Sequence, residues 1–225
     1  MTKNLYSTST ETANNSIASS APCSLSVSAT LNIGSNSSSS FQPPASSRLL
    51  KPALLLDRDG TLIQEVDHCH RPEDVIVMEG AAKGLAKAHE HGWYNVIITN
   101  QSGIGRGYFT EKEFQEVQEE VQRQVGGRID ATYMAPDLPN GNSLRRKPAP
   151  GMILEAASEL GIDLSASFMI GDRKSDIEAG KAAGCQTILV LTGYGKEHRD
   201  CGADFVVQDV AAAIEVALTS QYKTY

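Results

Sequence analysis

Two aspartates separated by a single residue follow a short apolar run: Ala53-Leu54-Leu55-Leu56 leads into Asp57-Arg58-Asp59-Gly60-Thr61. Side chains alternate along an extended chain, so Asp57 and Asp59 should face one side and Arg58 the other. Two carboxylates this close repel, and they favour a divalent cation or a shared proton. One can attack phosphorus as a nucleophile. Its neighbour can give a proton to the leaving oxygen and later take one from water. Gly60 allows a sharp turn behind the pair. Taken alone, the cluster also reads as a plain acidic turn.

Three further clusters have the same setting, just after an apolar run. Thr99-Asn100-Gln101-Ser102-Gly103-Ile104-Gly105-Arg106-Gly107 offers a hydroxyl and successive backbone NH groups to phosphate oxygens, and Arg106 can fork onto a second anion. No Lys-Ser or Lys-Thr follows, which rejects a Walker loop. Arg145-Arg146-Lys147-Pro148 sets three cations side by side in an acidic chain, and a lysine aimed at the other clusters would neutralise a transferred phosphoryl group. Gly171-Asp172-Arg173-Lys174-Ser175-Asp176 adds an aspartate that can complete an oxygen shell for Mg²⁺ with Asp57. Asp176 either reaches the metal through water or favours the start of the next helix; the sequence leaves both open.

Whether these clusters meet depends on the elements between them. Apolar, β-branched runs predict strands at 53–56, 94–99, 129–135, 167–170, 186–191 and 205–207. Helical spacing predicts helices at 79–91, 151–160, 175–183 and 210–218, and another capped by Thr110, with Glu113 as capping-box partner and Phe114, Val117, Val121 and Val125 as its core stripe. Strand and helix in alternation imply a parallel sheet covered by helices on both faces, an α/β fold. In such sheets ligands bind beyond the carboxyl ends of the strands, so all four clusters should converge on one crevice.

The wording LLLDRDGTL, TNQSGIGRGYF, RRKPAPGM and GDRKSDIEAG resembles the haloacid dehalogenase (HAD) superfamily of phosphatases over residues 51–220, and within it the subgroup of heptose 1,7-bisphosphate and histidinol-phosphate phosphatases. That resemblance implies a Rossmann-like, three-layer αβα domain over 51–225 with no large cap, and a Mg²⁺-dependent reaction through an aspartyl-phosphate. It makes Asp57 the nucleophile and Asp59 the general acid/base, with Thr99 and Lys147 stabilising the phosphoryl group. Asp57, the Asp59 carbonyl and Asp172 would hold Mg²⁺, with Arg173 next to them. Arg58, Glu65, His68, Asn100, Gln101, Ser102, Arg106 and Arg146 would contact substrate; Glu65-Val66-Asp67-His68 lies where the family's short flap reaches it. The subgroup usually carries a zinc loop of cysteines and a histidine before its RKP motif. Here those places read Ala135, Asp137, Ser143 and Arg145, so no zinc is expected.

Composition bounds the rest. The chain has 225 residues, 40% of them apolar, with 20 basic and 27 acidic side chains. The acidic balance counts against a nucleic-acid partner. No stretch approaches the ~20 apolar residues of a membrane span. The scattered cysteines (Cys23, Cys69, Cys185 and Cys201) fit reduced thiols in a cytoplasmic compartment. Residues 1–50 contain 15 serines and only three charged side chains, so they read as a disordered segment or, alternatively, as an organelle transit peptide. The expected enzyme is a monomeric phosphatase of a small phosphorylated substrate, D-glycero-D-manno-heptose 1,7-bisphosphate first, histidinol phosphate second and a polynucleotide 3′-phosphate third. The reading from another class is a non-catalytic phosphate-binding protein on the same fold.

Overall fold

The computed structural model describes residues 49–220, so the reading of the Ser-rich segment falls almost wholly outside the described residues. Six strands, β1 (Ala53–Leu56), β2 (Tyr94–Asn100), β3 (Ala131–Ala135), β4 (Phe168–Gly171), β5 (Gln186–Val190) and β6 (Phe205–Val207), form one sheet. Their order is β3-β2-β1-β4-β5-β6 and every pairing is parallel.

The helices divide between the two faces as the alternation requires. On one face α1 (Ala81–Glu90), α3 (Glu111–Gln124) and α6 (Val210–Ser220) pack on Leu54, Leu56, Ile97, Ile170 and Ile188. On the other, α4 (Gly151–Leu160) and α5 (Lys174–Ala183) pack on Ala53, Leu55, Val96, Ile98 and Met169. Adjacent β1 residues thus serve opposite cores, which is why a strand of four apolar residues reads as a continuous apolar run. Thr110 caps α3 with the expected box: its hydroxyl accepts the Glu113 N–H, and the Glu113 carboxylate accepts the Thr110 N–H.

Two local features differ from the pattern. Ser102–Gly105 forms a single helical turn, α2, inside the Gly-rich segment read as a loop. The third strand starts at Ala131 rather than 129, because the Ile129 backbone is tied up by the Gln122 side chain.

The order places β1 between β2 and β4, and the chain leaves β1 toward β2 but returns to its other side as β4. That switch point opens a crevice beyond the carboxyl ends of β1, β2 and β4. The segment between Asp57 and α1 stays small, held by bridges from Ile63 to Asp59 and to Val77, and adds a flap rather than a cap domain.

Candidate active site

Beyond the strand ends lies a cavity of about 400 Å³ lined by Asp57, Asp59, Asn100, Gln101, Lys147 and Asp176 at its base, with Glu65, His68, Arg146, Arg173 and Tyr194 among the residues higher on its walls. Asp57 extends directly from β1, whose ladder continues through the Asp57 N–H to the Ile170 carbonyl of β4. This register brings Asp57 beside Asp172, which follows β4. Asp57, Asp172 and Asp176 each place a carboxylate oxygen within 4.8 Å of the others, and all three residues are buried.

Lys147 enters this cluster from the loop before α4. Its ammonium lies 2.6 Å from Asp57 Oδ1 and 2.7 Å from Asp176 Oδ1, and donates to the Ile98 carbonyl at 2.7 Å. Burial pulls the lysine pKa down, but Asp176 and Asp57 outweigh it and the net direction is up, so the ammonium stays charged. Asp57 moves well above the usual carboxylate range. Burial is the main cause, and the Asp176 and Asp172 charges add to it against the pull of Lys147. Asp172 is pushed up to about 6 by burial and by Asp176.

Three carboxylates against one ammonium leave a buried site two positive charges short. Asp172 Oδ1 is buried without a hydrogen-bond partner among the described residues, while Oδ2 accepts the Tyr194 N–H at 2.8 Å. An all-oxygen donor set with an unsatisfied lone pair fits a hard divalent cation such as Mg²⁺. Asp176 accepts the Arg173 N–H at the start of α5, the helix-start role its position allowed, and it also stands in the carboxylate cluster.

Asp59 also lines the cavity, and its carboxylate is held from behind. Arg58 Nε and Nη2 donate to its two oxygens at 3.0 and 3.1 Å, and Gln101 Nε2 donates at 2.8 Å. Arg58 itself is fully buried and is not among the cavity residues. The strand alternation, which turned Arg58 away, describes its position; the expectation of a substrate contact at Arg58 is corrected, because its guanidinium is enclosed by Asp59, Gln118, the Cys69 carbonyl and the Phe114 ring.

Asn100 and Gln101 line the cavity, but their amides are largely engaged with the protein. Asn100 clasps the Lys147 backbone in both directions, each bond 3.0 Å, and Gln101 bridges Asp59 and the Thr99 hydroxyl. Thr99 is buried below them and does not line the cavity wall. Arg106 is exposed on the turn after α2, outside the wall. Ser102, Glu65 and His68 are on the wall, and His68 adopts φ +52° there, against the edge of the Tyr108 ring.

Arg146 and Arg173 form a cationic side to the cavity. Arg146 Nη1 donates to the Asp137 carbonyl at 2.8 Å, and Arg173 stacks on Tyr194 at 3.8 Å. Burial draws the Arg146 guanidinium below its ordinary range. Tyr194 and Gly193 had no signal in the sequence. They follow β5 and reach Asp172 only because β5 pairs with β4. Where the resembling subgroup has zinc ligands, Ala135 is part of the core, Arg145 pairs with Glu155 at 2.9 Å, and the Ser143 hydroxyl accepts the Arg145 and Arg146 N–H groups.

Named phosphatases share much of its sequence. The D-glycero-D-manno-heptose-1,7-bisphosphate 7-phosphatase of Thermosynechococcus vestitus is 36% identical over 185 residues, covering 73% of this chain and 94% of that one. The chain belongs to the HAD superfamily of phosphatases. A HAD-hydrolase-like family model matches residues 144–213 of this phosphatase. The Yersinia pestis D-glycero-beta-D-manno-heptose-1,7-bisphosphate 7-phosphatase is 35% identical, covering 76% of this chain and 97% of its own. Among solved structures, the Bordetella bronchiseptica D,D-heptose 1,7-bisphosphate phosphatase complexed with magnesium and phosphate superposes with a TM-score of 0.70 at 31% identity, over 75% of this HAD chain and 99% of that one. This protein is an enzyme, a phosphoric monoester hydrolase, as its similarity to phosphatases over nearly their whole length shows. No helix among the described residues is long and apolar enough to cross a membrane.

Proposed function

We propose that this phosphatase removes the 7-phosphate of D-glycero-D-manno-heptose 1,7-bisphosphate in a Mg²⁺-dependent reaction that passes through an aspartyl-phosphate at Asp57. One observation carries the reading: a buried Asp57 in contact with Lys147, at the base of a cavity whose walls carry two further cations, Arg146 and Arg173. The names of the relatives support the choice of sugar.

Asp57 attacks phosphorus and the bond to the sugar oxygen breaks, with Asp59 giving that oxygen a proton. Water then attacks the aspartyl-phosphate, and Asp59 takes its proton as phosphate leaves. Lys147 is held close enough to offset charge on the transferring group, and Thr99, buried beneath, acts from behind by accepting the Gln101 amide. Arg146 and Arg173 take the second anionic end of the substrate, while Glu65, His68 and Ser102 border its sugar. Asp57, Asp172, Asp176 and the Asp59 carbonyl are the groups that would hold Mg²⁺. When bound, the ion neutralises negative charge on the phosphoryl oxygens. The reading is zinc-free, on the ground that the places of the subgroup's zinc ligands read Ala135, Asp137, Ser143 and Arg145, none of them Cys or His. The enzyme acts as a monomer in the cytoplasm, without nucleic-acid or membrane partners.

Incubating the purified chain with a panel of phosphate esters, with and without Mg²⁺, tests this. The heptose bisphosphate should lose one phosphate and be preferred over histidinol phosphate and a 3′-phosphorylated oligonucleotide. A protein that bound these esters but turned over none would be a binding module.

A further inference from the structure

Arg58 is a fully buried cation behind Asp59, outside the lining of the cavity, and nothing in the hydrolytic steps uses it directly. Taking a guanidinium out of water is costly unless its donors are satisfied. Four of its hydrogen bonds are identified. Two form a fork on the Asp59 carboxylate, at 3.0 and 3.1 Å. The third, from Nη2, ends on the Cys69 carbonyl of the flap at 3.3 Å. The fourth, from Nη1, ends on Gln118 Oε1 of α3 at 3.2 Å. Gln118 is anchored in turn, since its Nε2 donates to the Thr132 hydroxyl on β3 at 3.0 Å. The Phe114 ring, one turn earlier on α3, lies 5.2 Å from the guanidinium carbon and closes its remaining side.

We infer that Arg58 is a positioning residue for Asp59, fixed by Gln118 so that the carboxylate presents one orientation to the leaving oxygen. The inference rests on the proposed acid/base role of Asp59. A free aspartate on a turn has several side-chain orientations within reach, and proton transfer needs one of them. A planar fork fixes the plane of the carboxylate as well as its distance, which a lysine in the same place would not do. The fork is itself held in plane by Gln118 and by the Cys69 carbonyl. Through the latter, the flap that carries Glu65 and His68 is referred to the same guanidinium. Gln101 completes the grip from the cavity side. Nothing about Gln118 in the sequence signals this: it sits 60 residues from Arg58, on the face of a helix otherwise read as core and solvent.

Gln118 is the place to test it, because it lies outside the cavity wall and substrate does not reach it. Gln118→Met keeps the length of the side chain and removes the acceptor; Gln118→Glu keeps an acceptor for Arg58. Each is assayed on an alkyl phosphate, whose alkoxide leaves only with a proton, and on 4-nitrophenyl phosphate, whose phenolate leaves without one. The readout is kcat/KM, which covers only the steps up to departure of the leaving group and not the hydrolysis of the aspartyl-phosphate that both esters share: Gln118→Met should lower it about fivefold or more on the alkyl ester, with a much smaller loss on the aryl ester. Gln118→Glu should restore most of the alkyl rate. Equal losses on both esters, or no loss, overturn the inference. If Gln118→Met fails to fold, Arg58→Lys, which keeps the charge and loses the fork, is held to the same two-ester comparison. Asp59→Asn is the reference. If it leaves the alkyl-to-aryl ratio unchanged, the acid/base reading of Asp59 fails first and the inference falls with it; if it shifts the ratio and Gln118→Met does not, the positioning role alone is wrong.

Discussion

The ammonium of Lys147 stands 2.6 Å from the carboxylate of Asp57, two residues 90 positions apart in the chain and both nearly sealed from solvent. The pair forms because the end of β1 and the loop before α4 open on the same crevice, and because Asn100 at the end of β2 grips the Lys147 backbone.

Lys147→Met should cost turnover and stability together. It leaves Asp57 and Asp176 buried and close to each other with no cation, a situation worth about 3–5 kcal/mol. Turnover of any phosphate ester should fall about 100-fold or more. Thermal melts in EDTA should show a much larger loss than melts in Mg²⁺, since a divalent ion takes over part of the neutralisation.

Asp57→Asn separates chemistry from folding. Turnover should disappear, because an amide cannot form the aspartyl-phosphate. Burial already holds the Asp57 carboxyl well above its ordinary pKa in the metal-free protein, so a neutral side chain relieves a cost. The EDTA melting temperature at neutral pH should therefore equal or exceed that of the native protein. A variant with near-native rates would show that the nucleophile lies elsewhere.

Stability without metal should fall as pH rises from about 4 to 7. Glu65 is pushed up to about 7 by burial and by the charge of Asp59, and Asp172 to about 6. Between its unfolded and folded pKa, each group binds more protons in the folded chain, so raising the pH favours unfolding; above the folded value the effect levels off. Melts in EDTA across this range should show the decline, and Glu65→Gln should remove its upper part. Added Mg²⁺ should flatten the share due to Asp172, because a bound cation favours the ionised form.

Gly193→Ala should weaken metal binding. The backbone there has φ +48°, and an added Cβ would collide with Asp172 Oδ2 and come within 2.8 Å of Gly60 Cα. Both neighbours belong to the carboxylate site, so the collision displaces Asp172 or the turn after Asp57. The Mg²⁺ concentration that gives half-maximal rate should rise, with about 1–3 kcal/mol lost from folding. An unchanged metal dependence would mean that the site tolerates the shift.

Chelation separates the proposed metals. EDTA should stop turnover, and Mg²⁺ alone should restore all of it. A preparation that needed zinc to recover would contradict the zinc-free reading of the 136–150 loop.

Much of the molecule was legible without coordinates. The alternation of apolar runs and helical stripes was enough to place the six strands to within a few residues and to assign helices to both faces, because each period is a local property of backbone geometry. The same logic put Asp57 and Asp59 toward the crevice and turned Arg58 away. The resemblance of LLLDRDGTL, TNQSGIGRGYF, RRKPAPGM and GDRKSDIEAG carried the family. Periodicity does not reveal which side chain meets which across the ends of the strands. Tyr194 reaches Asp172 only because β5 lies beside β4, Asn100 turns to Lys147 rather than to solvent, and Gln118 meets Arg58 only when α3 packs on the sheet, where Gln118 is also anchored to Thr132 of β3. Strand order and helix docking are set by burial summed over the whole chain, which a local pattern does not encode; the sequence by itself determined what chemistry was present, and the tertiary structure decided which groups line the cavity and which hold the others in place.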